Sequence, residues 1–369
     1  MTGAMNKPRF HGERVRLEEV CIKGKSSLRQ KDVMLEGPYP VYGASGIVGY
    51  LPSYQNGAPY VAVVKDGAGV GRACRCKGES SVLGTMQALI PSNDVDCSFL
   101  FHLVRSLRLG SGFSGSTIPH IYFKDYGKRI VHLPDLNGQR TIAAILDGVE
   151  SIVAIRERYL AKLDDLRKSR FIEMFGGIEE REYVQLKEVC SIITDGTHQS
   201  PKFTPDGVPF LFVSNIAHDR LTYETDKYIS AKDYQELIKR TPVEVGDVLI
   251  SAVGSFGHPA IVKTEKPFCF QRHIAYLKPI REKVVSEYLH AALLSEDAQE
   301  YMDRSAKGVA QRTVTLKSFK ELSIPVPPFS LQQEFSAFVR QVDKLESAAR
   351  ASIDRLQTLY DSLAQEYFG

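Results

Sequence analysis

Two stretches of the chain carry apolar residues at alternating three- and four-residue steps. Between Gln139 and Phe175 they fall at Ile142, Ile145, Val149, Ile152, Leu163 and Leu166, with charged residues between them. A second stretch repeats the pattern at Phe335, Phe338, Val342, Leu345, Leu356, Leu359 and Leu363. Such narrow stripes are heptad seams, and they predict two long helices. Neither stretch contains proline, while Pro134 and Pro327–Pro328 mark the entries. At 1.5 Å per residue the first helix would extend about 55 Å. A lone helix of that length would leave its stripe wet. Two stripes of equal length in one chain are expected to pack on each other. The segment between them has to bring the chain back, which predicts an antiparallel coiled coil. Arg156 and Ser352 interrupt the stripes near mid-helix, where they would fix register or meet a partner.

The segments before each helix alternate short apolar runs with Gly, Pro, Asn and Asp turns. The run from Ala58 to Gly71 and that from Gly246 to Val262 read as strand, turn, strand. Short helices are expected at Ser98–Leu107 and Ser286–Tyr301. The fold class is therefore α+β, with curved mixed sheets in α/β domains separated by the two helices.

The chain is written twice. Val15–Cys21 (VRLEEVC) matches Val184–Cys190 (VQLKEVC), and Pro40, Ser45 and Ile47 match Pro209, Ser214 and Ile216. Further on the spacing widens, pairing Val61 with Val248, Gly67 with Gly254, Leu89 with Leu277 and Leu100 with Leu289. It settles again at Pro134 with Pro327, Gln139 with Gln332, Leu163 with Leu356 and Phe175 with Phe368. Order is kept throughout and the drift runs one way, as insertions in the second copy would produce. This predicts a first mixed domain over 1–135, a helix over 136–180, a second domain over 181–327 and a helix over 328–369.

Composition adds little to this picture. The hydrophobic fraction is 43%, the charged fraction 25% and the net charge +3, so a nucleic-acid surface would have to come from local clustering. The six cysteines form no Cys-x-x-Cys pair, so zinc is not expected and free thiols in a reducing cytoplasm are. The N-terminus has no apolar signal segment and no apolar run is long enough to span a membrane.

Specific residues carry a family resemblance. The second copy opens with Asp195-Gly196-Thr197-His198, followed by Pro201-Lys202-Phe203. Both copies close on a proline segment that runs into glutamine and a long helix, Pro134 to Gln139 and Pro327-Pro328 to Gln332. Over essentially its whole length the chain resembles the specificity subunit of Type I restriction-modification systems. The first copy departs from it, with Lys23-Gly24-Lys25-Ser26 in place of the Asp-Gly-Thr-His segment, so the two domains should read different sequences. The resemblance implies that each domain reads half of a split, asymmetric site on double-stranded DNA. It implies that the helices act as a ruler and bind two methyltransferase subunits, which methylate adenine, and that restriction subunits join them. S-adenosylmethionine, ATP and magnesium would belong to those partners, with no cofactor or metal in this chain.

Base reading needs donors and acceptors on loops, and phosphate binding needs Lys, Arg and open N–H groups. In the second domain the candidates are Thr197, His198, Lys202, Ser214, Asn215, Ser251, Ser255, Gln271, Arg272, Lys307, Gln311 and Arg312. In the first they are Lys23, Lys25, Ser26, Arg29, Tyr42, Ser45, Lys65, Gln87, Ser114, Ser116 and Thr117. Asn215 is equally suited to capping a turn, and His198 to a core.

Catalytic signatures are missing. No Asn/Asp-Pro-Pro-Tyr/Phe motif is present, because Pro327-Pro328-Phe329 follows Val326. Gly67–Gly71 does not fit Gly-x-Gly-x-x-Gly, and no Walker A sequence occurs. The expected role is therefore a non-catalytic recognition subunit. The alternatives are an autonomous DNA-modifying enzyme and a coiled-coil scaffold without a DNA role.

Overall fold

The computed structural model describes residues 12–112, 119–176, 183–217, 219–309 and 311–369. They form two compact units, one of residues up to Tyr159 together with Ala349–Gly369, the other of Leu160–Ala348.

The first unit is built on a sheet of β1 (Cys21–Lys23), β2 (Tyr60–Val64), β3 (Ala73–Cys76) and β4 (Met86–Pro91) in the order β1-β4-β2-β3, all antiparallel. Strand β2 reads Tyr-Val-Ala-Val-Val and is buried at every position. Its alternate residues face two cores, as the two-residue period of a strand requires. Val61 and Val63 join Phe99, Leu100 and Leu103 of helix α1 (Cys97–Ser106). Tyr60, Ala62 and Val64 join Met86 and Val82 on the opposite face. A smaller sheet sets Tyr39–Gly43 between Gly46–Leu51 and a parallel Ser81–Val82.

The second unit repeats this plan. Strands β5 (Cys190–Asp195), β6 (Val248–Ser251), β7 (Pro259–Ile261) and β8 (Ile274–Pro279) lie in the order β5-β8-β6-β7. Helix α3 (Ser286–Leu293) covers them as α1 covers its sheet. Here too a strand of the smaller sheet, Val208–Leu211, pairs in parallel with Cys269–Phe270. The paired strands Ile216–Ala217 and Arg220–Leu221 and the helix Ala231–Leu237 fall between the matched segments, where the sequence spacing widens. The helix expected over Ser286–Tyr301 is interrupted. Ser295 accepts from the Ala298 N–H and so starts a separate helix, α4 (Glu296–Ser305).

The long helices are α2 (Leu136–Phe175) and α5 (Phe329–Phe368), each of 40 residues. Their glutamines explain the repeated proline-to-glutamine motif. Buried Gln139 accepts from the Asp96 N–H at 2.8 Å, and its amide donates to the carbonyls of Asp94 and Pro134. Gln332 accepts from the Val285 N–H at 3.0 Å and donates to the carbonyls of Lys283 and Pro327. Each glutamine thus ties the first turn of its long helix to the N-terminus of α1 or α3.

Both long helices contribute to both units. In the first unit Ile142, Leu146 and Val149 share a core with Tyr360 and Ala364. In the second, pairings step from Arg167–Asp343 to Arg170–Glu334 and Phe171–Phe335, so the helices run in opposite senses there. The buried stripe differs from the one read from sequence. Ile152, Leu166, Leu345 and Leu359 are 45–48% exposed, whereas Ile142, Val149, Leu163, Phe335 and Val342 are buried and Ile145, Phe338 and Leu356 partly so. On α5 the buried positions include Phe335, Val339, Val342, Glu346, Ala349 and Tyr360. Glu346 occupies one seam position because it pairs with Arg167 and Arg220, and a template of large apolar residues passes over it and Ala349.

Candidate nucleic-acid interface

In the second unit four loops are joined edge to edge by main-chain hydrogen bonds. Thr197 accepts from the Arg272 N–H at 3.0 Å and donates its own N–H to the Phe270 carbonyl. The Ala252 N–H donates to the His273 carbonyl, and the Gly254 N–H to that of Arg312, both within 3.0 Å. The Asp195–His198 turn, the 270–273 turn, the β6–β7 turn and the Gln311–Thr313 segment therefore form one continuous row, with Lys307 paired to Thr313. Gly196 is required there, since a Cβ at that position would lie 2.1 Å from the Phe270 carbonyl oxygen.

The first unit builds the same row from different residues. Gly24 donates to the Ala88 carbonyl, and Lys65 and Asp66 donate to that of Thr85. Gly67 donates to the Pro119 carbonyl at 3.0 Å. Bridge pairs repeat as well, with Asp66 opposite His120 in one unit and Val253 opposite Thr313 in the other. Gly67 and Gly254 take φ of +83° and +76° at matching points of the turns, a conformation that favours glycine.

Many of the candidate side chains lie on these rows. In the second unit Thr197, His198, Ser255, Gln271, Arg272, Lys307, Gln311 and Arg312 belong to it, with His198, Ser255, Arg272, Lys307 and Gln311 exposed. His198 is no core residue; its ring bonds the Asp195 carboxylate at 2.9 Å. The first unit contributes Lys23, Lys25, Ser26 and Lys65. Burial and the neighbouring Lys23 charge push the Lys65 ammonium below its usual range. Lys202, Ser214, Arg29 and Ser45 are exposed elsewhere in their units, and Tyr42 is half-buried. Ser114, Ser116 and Thr117 lie outside the described residues.

Three candidates are buried and do structural work instead. Gln87 donates its amide to the carbonyls of Gly24 and Ala88. Asn215 accepts from the Phe212 N–H and donates to the Glu224 carbonyl, closing a turn. Ser251 Oγ accepts from the His258 N–H. Arg312 holds its loop in place, bonding Asp303 at 2.7 Å while its guanidinium lies 5.3 Å over the Phe256 ring. Sequence reasoning missed Arg240, which pairs with Asp195, and His258, which bonds Asp219 at 2.9 Å and Ser255 at 3.2 Å. Neither carries a local motif that would have marked it.

A separate polar cluster fills the space between α1, α2 and α5 in the first unit. Arg75 on β3 reaches Asp147 and Glu150 and lies 4.3 Å over the Phe101 ring. Arg105 pairs with Glu150 and lies 4.3 Å over Tyr360. Burial pushes the fully enclosed His102 down to about 4, so its ring is neutral. Its Nε2 lies 2.8 Å from Asp147 and 2.9 Å from an Arg75 guanidinium nitrogen, and its Nδ1 bonds the Tyr360 hydroxyl at 2.7 Å. Ligand atoms of His102, Asp147 and Glu150 lie within 4.8 Å of one another. Two guanidiniums already take the carboxylates, so the cluster is a packed ionic plug rather than a metal cradle. Among the described residues, no helix is long and apolar enough to cross a membrane.

Comparisons with known proteins agree with this architecture. The family described as "Type I restriction modification DNA specificity domain" matches residues 12–164 and 178–355. The Type I restriction enzyme MjaVIII specificity subunit of Methanocaldococcus jannaschii is 23% identical, over 91% of this chain and 86% of that protein. The EcoBI specificity subunit of Escherichia coli is 28% identical over 44% of this chain and 35% of its own. A Type-I restriction-modification S subunit from M. genitalium superposes with a TM-score of 0.60 at 16% identity, covering 100% of this chain and 98% of that one.

Proposed function

Because the chain belongs to the Type I restriction modification DNA specificity family, we propose that each of its units reads one half of a bipartite, asymmetric DNA site. As a specificity subunit it contributes recognition rather than turnover. The row of loops built twice from unlike side chains carries this reading. A shared backbone frame would present both units to duplex DNA in the same way, and the differing side chains would select different bases.

In this reading α2 and α5 form an antiparallel coiled coil that sets the spacer between the half-sites. Its exposed apolar positions, Ile152, Ile155 and Leu345 among them, receive two methyltransferase subunits. Those partners hold S-adenosylmethionine and methylate adenine, and restriction subunits with ATP and magnesium complete a cytoplasmic complex. Co-expression with the partner methyltransferase, followed by sequencing of modified genomic adenines, tests the proposal. A split motif with two unlike halves is expected; a contiguous motif, or no modification by the assembled complex, would overturn it.

A further inference from the structure

The β6–β7 turn of the second unit carries a relay of three side chains that the first unit lacks. The Asp219 carboxylate lies 2.9 Å from His258 Nδ1, and His258 Nε2 lies 3.2 Å from the Ser255 hydroxyl. At the matching points of the first unit Ala68 stands for Ser255 and Gly71 for His258. A side chain at Gly71 would collide with the Gly110 backbone. Asp219 comes from the segment of paired strands that falls where the sequence spacing widens, so the first copy has no equivalent of it.

Asp219 is held from two sides. Its carboxylate bonds His258, and its carbonyl accepts from His290 Nε2 at 3.0 Å. Its φ is +57°, a conformation that costs energy and persists where the surroundings impose it. A carboxylate only accepts, so the ring proton of His258 lies on Nδ1. Nε2 of the neutral ring then presents its lone pair, and the Ser255 hydroxyl donates to it. With its one hydrogen turned inwards, Ser255 offers only oxygen lone pairs outwards. Ser255 is exposed on the loop row. A free serine hydroxyl rotates to donate or accept, and so suits any base; this one is confined to accepting. In the major groove the adenine N6 and cytosine N4 amino groups donate, whereas guanine O6 and thymine O4 accept.

We infer that Asp219 and His258 are positioning residues that make Ser255 a one-way acceptor, and that Ser255 selects adenine or cytosine against guanine or thymine at one position of the second half-site. This rests on the half-site reading and adds to it the chemistry of a single contact.

Methylation of duplexes varied one base pair at a time, by the complex of the full chain with its methyltransferase, tests the inference. The assay is run at about pH 8, above the usual histidine range. The native chain is expected to favour adenine or cytosine about tenfold at one position of the second half-site. Ser255→Ala should abolish that preference and leave the four bases equivalent there. His258→Phe and Asp219→Ala free the hydroxyl to donate as well. Each should shrink the preference at that same position by raising the guanine and thymine substrates, not by lowering the other two. A merely structural role would lower all four alike. Retained discrimination in the first half-site shows that each variant is folded. A preference that survives Ser255→Ala, a position that favours guanine or thymine, or uniform losses from His258→Phe and Asp219→Ala would overturn the assignment. If the native complex still reads a split site, those failures leave the half-site reading standing; if it methylates no split site, both fall.

Discussion

Gln139 and Gln332 make the same three hydrogen bonds, each within its own unit. Both amides are buried, so truncation strands two carbonyls and one N–H. Gln139→Ala and Gln332→Ala are each expected to destabilise their own unit by roughly 2–4 kcal/mol. Urea unfolding followed by site-specific fluorescence would check this. A loss below about 0.5 kcal/mol would show that water replaces the amide.

Glu346 is buried at a seam position and faces Arg167 and Arg220. Glu346→Ala should cost about 3 kcal/mol, because two guanidiniums lose a desolvated partner. The same reasoning predicts partial recovery when Arg167→Met is added. Thermal melts of the single and double variants would decide, and simple additivity of the two losses would contradict the pairing.

The enclosed His102 titrates near 4 in the folded chain and near 6.5 when unfolded. Between those values the unfolded chain binds the extra proton, so stability is full above about pH 6.5 and falls as pH drops towards 4, by about 3 kcal/mol in all. Melting of the first unit across this range should therefore be steeper for the native chain than for His102→Gln. Identical slopes would mean that the ring is already charged in the fold.

Arg272 is exposed on the second unit's row, and Lys65 is half-buried on the first unit's. Arg272→Ala should weaken modification at one half-site by roughly tenfold, and Lys65→Ala at the other. Methylome sequencing of each variant in the complex reads this directly. Arg312→Ala is expected to act differently, loosening its loop through the lost Asp303 bond. Loss at both halves from either single substitution would contradict independent reading.

Cys74 lies 4.0 Å from Cys76, and its thiol is held below the usual range by a hydrogen bond from Cys76 and the nearby Arg72 charge. Burial pushes Cys21, Cys190 and Cys269 up to about 12. Because the thiolate is the reactive form, native alkylation should label Cys74 first. Peptide mass mapping checks the order, and prior labelling of Cys190 or Cys269 would contradict it.

The duplication, both long helices and their proline entries were legible because they are written in local sequence. So was the matching glutamine pair, though not its purpose, since the partners at Asp94, Asp96, Lys283 and Val285 are distant in the chain. The exact stripe was misread because Glu346 and Arg167 are polar residues made compatible with burial only by each other. Many residues of the two loop rows were named from sequence, but the rows themselves could not be read. They are assembled by backbone hydrogen bonds, which leave no side-chain signature, and Gln87, Asn215 and Ser251 resembled base readers by residue type alone until burial assigned them to turns.

The first unit includes Ala349–Gly369, with Tyr360 and Ala364 inside its core. During synthesis, its sheet emerges from the ribosome well before these residues exist. Domains generally fold in the order they are made, but here the earlier one must wait, with Ile142 and Leu146 uncovered, until translation has passed Tyr360 and Ala364. A premature stop after Ala348 would therefore damage the half of the protein that had been made first.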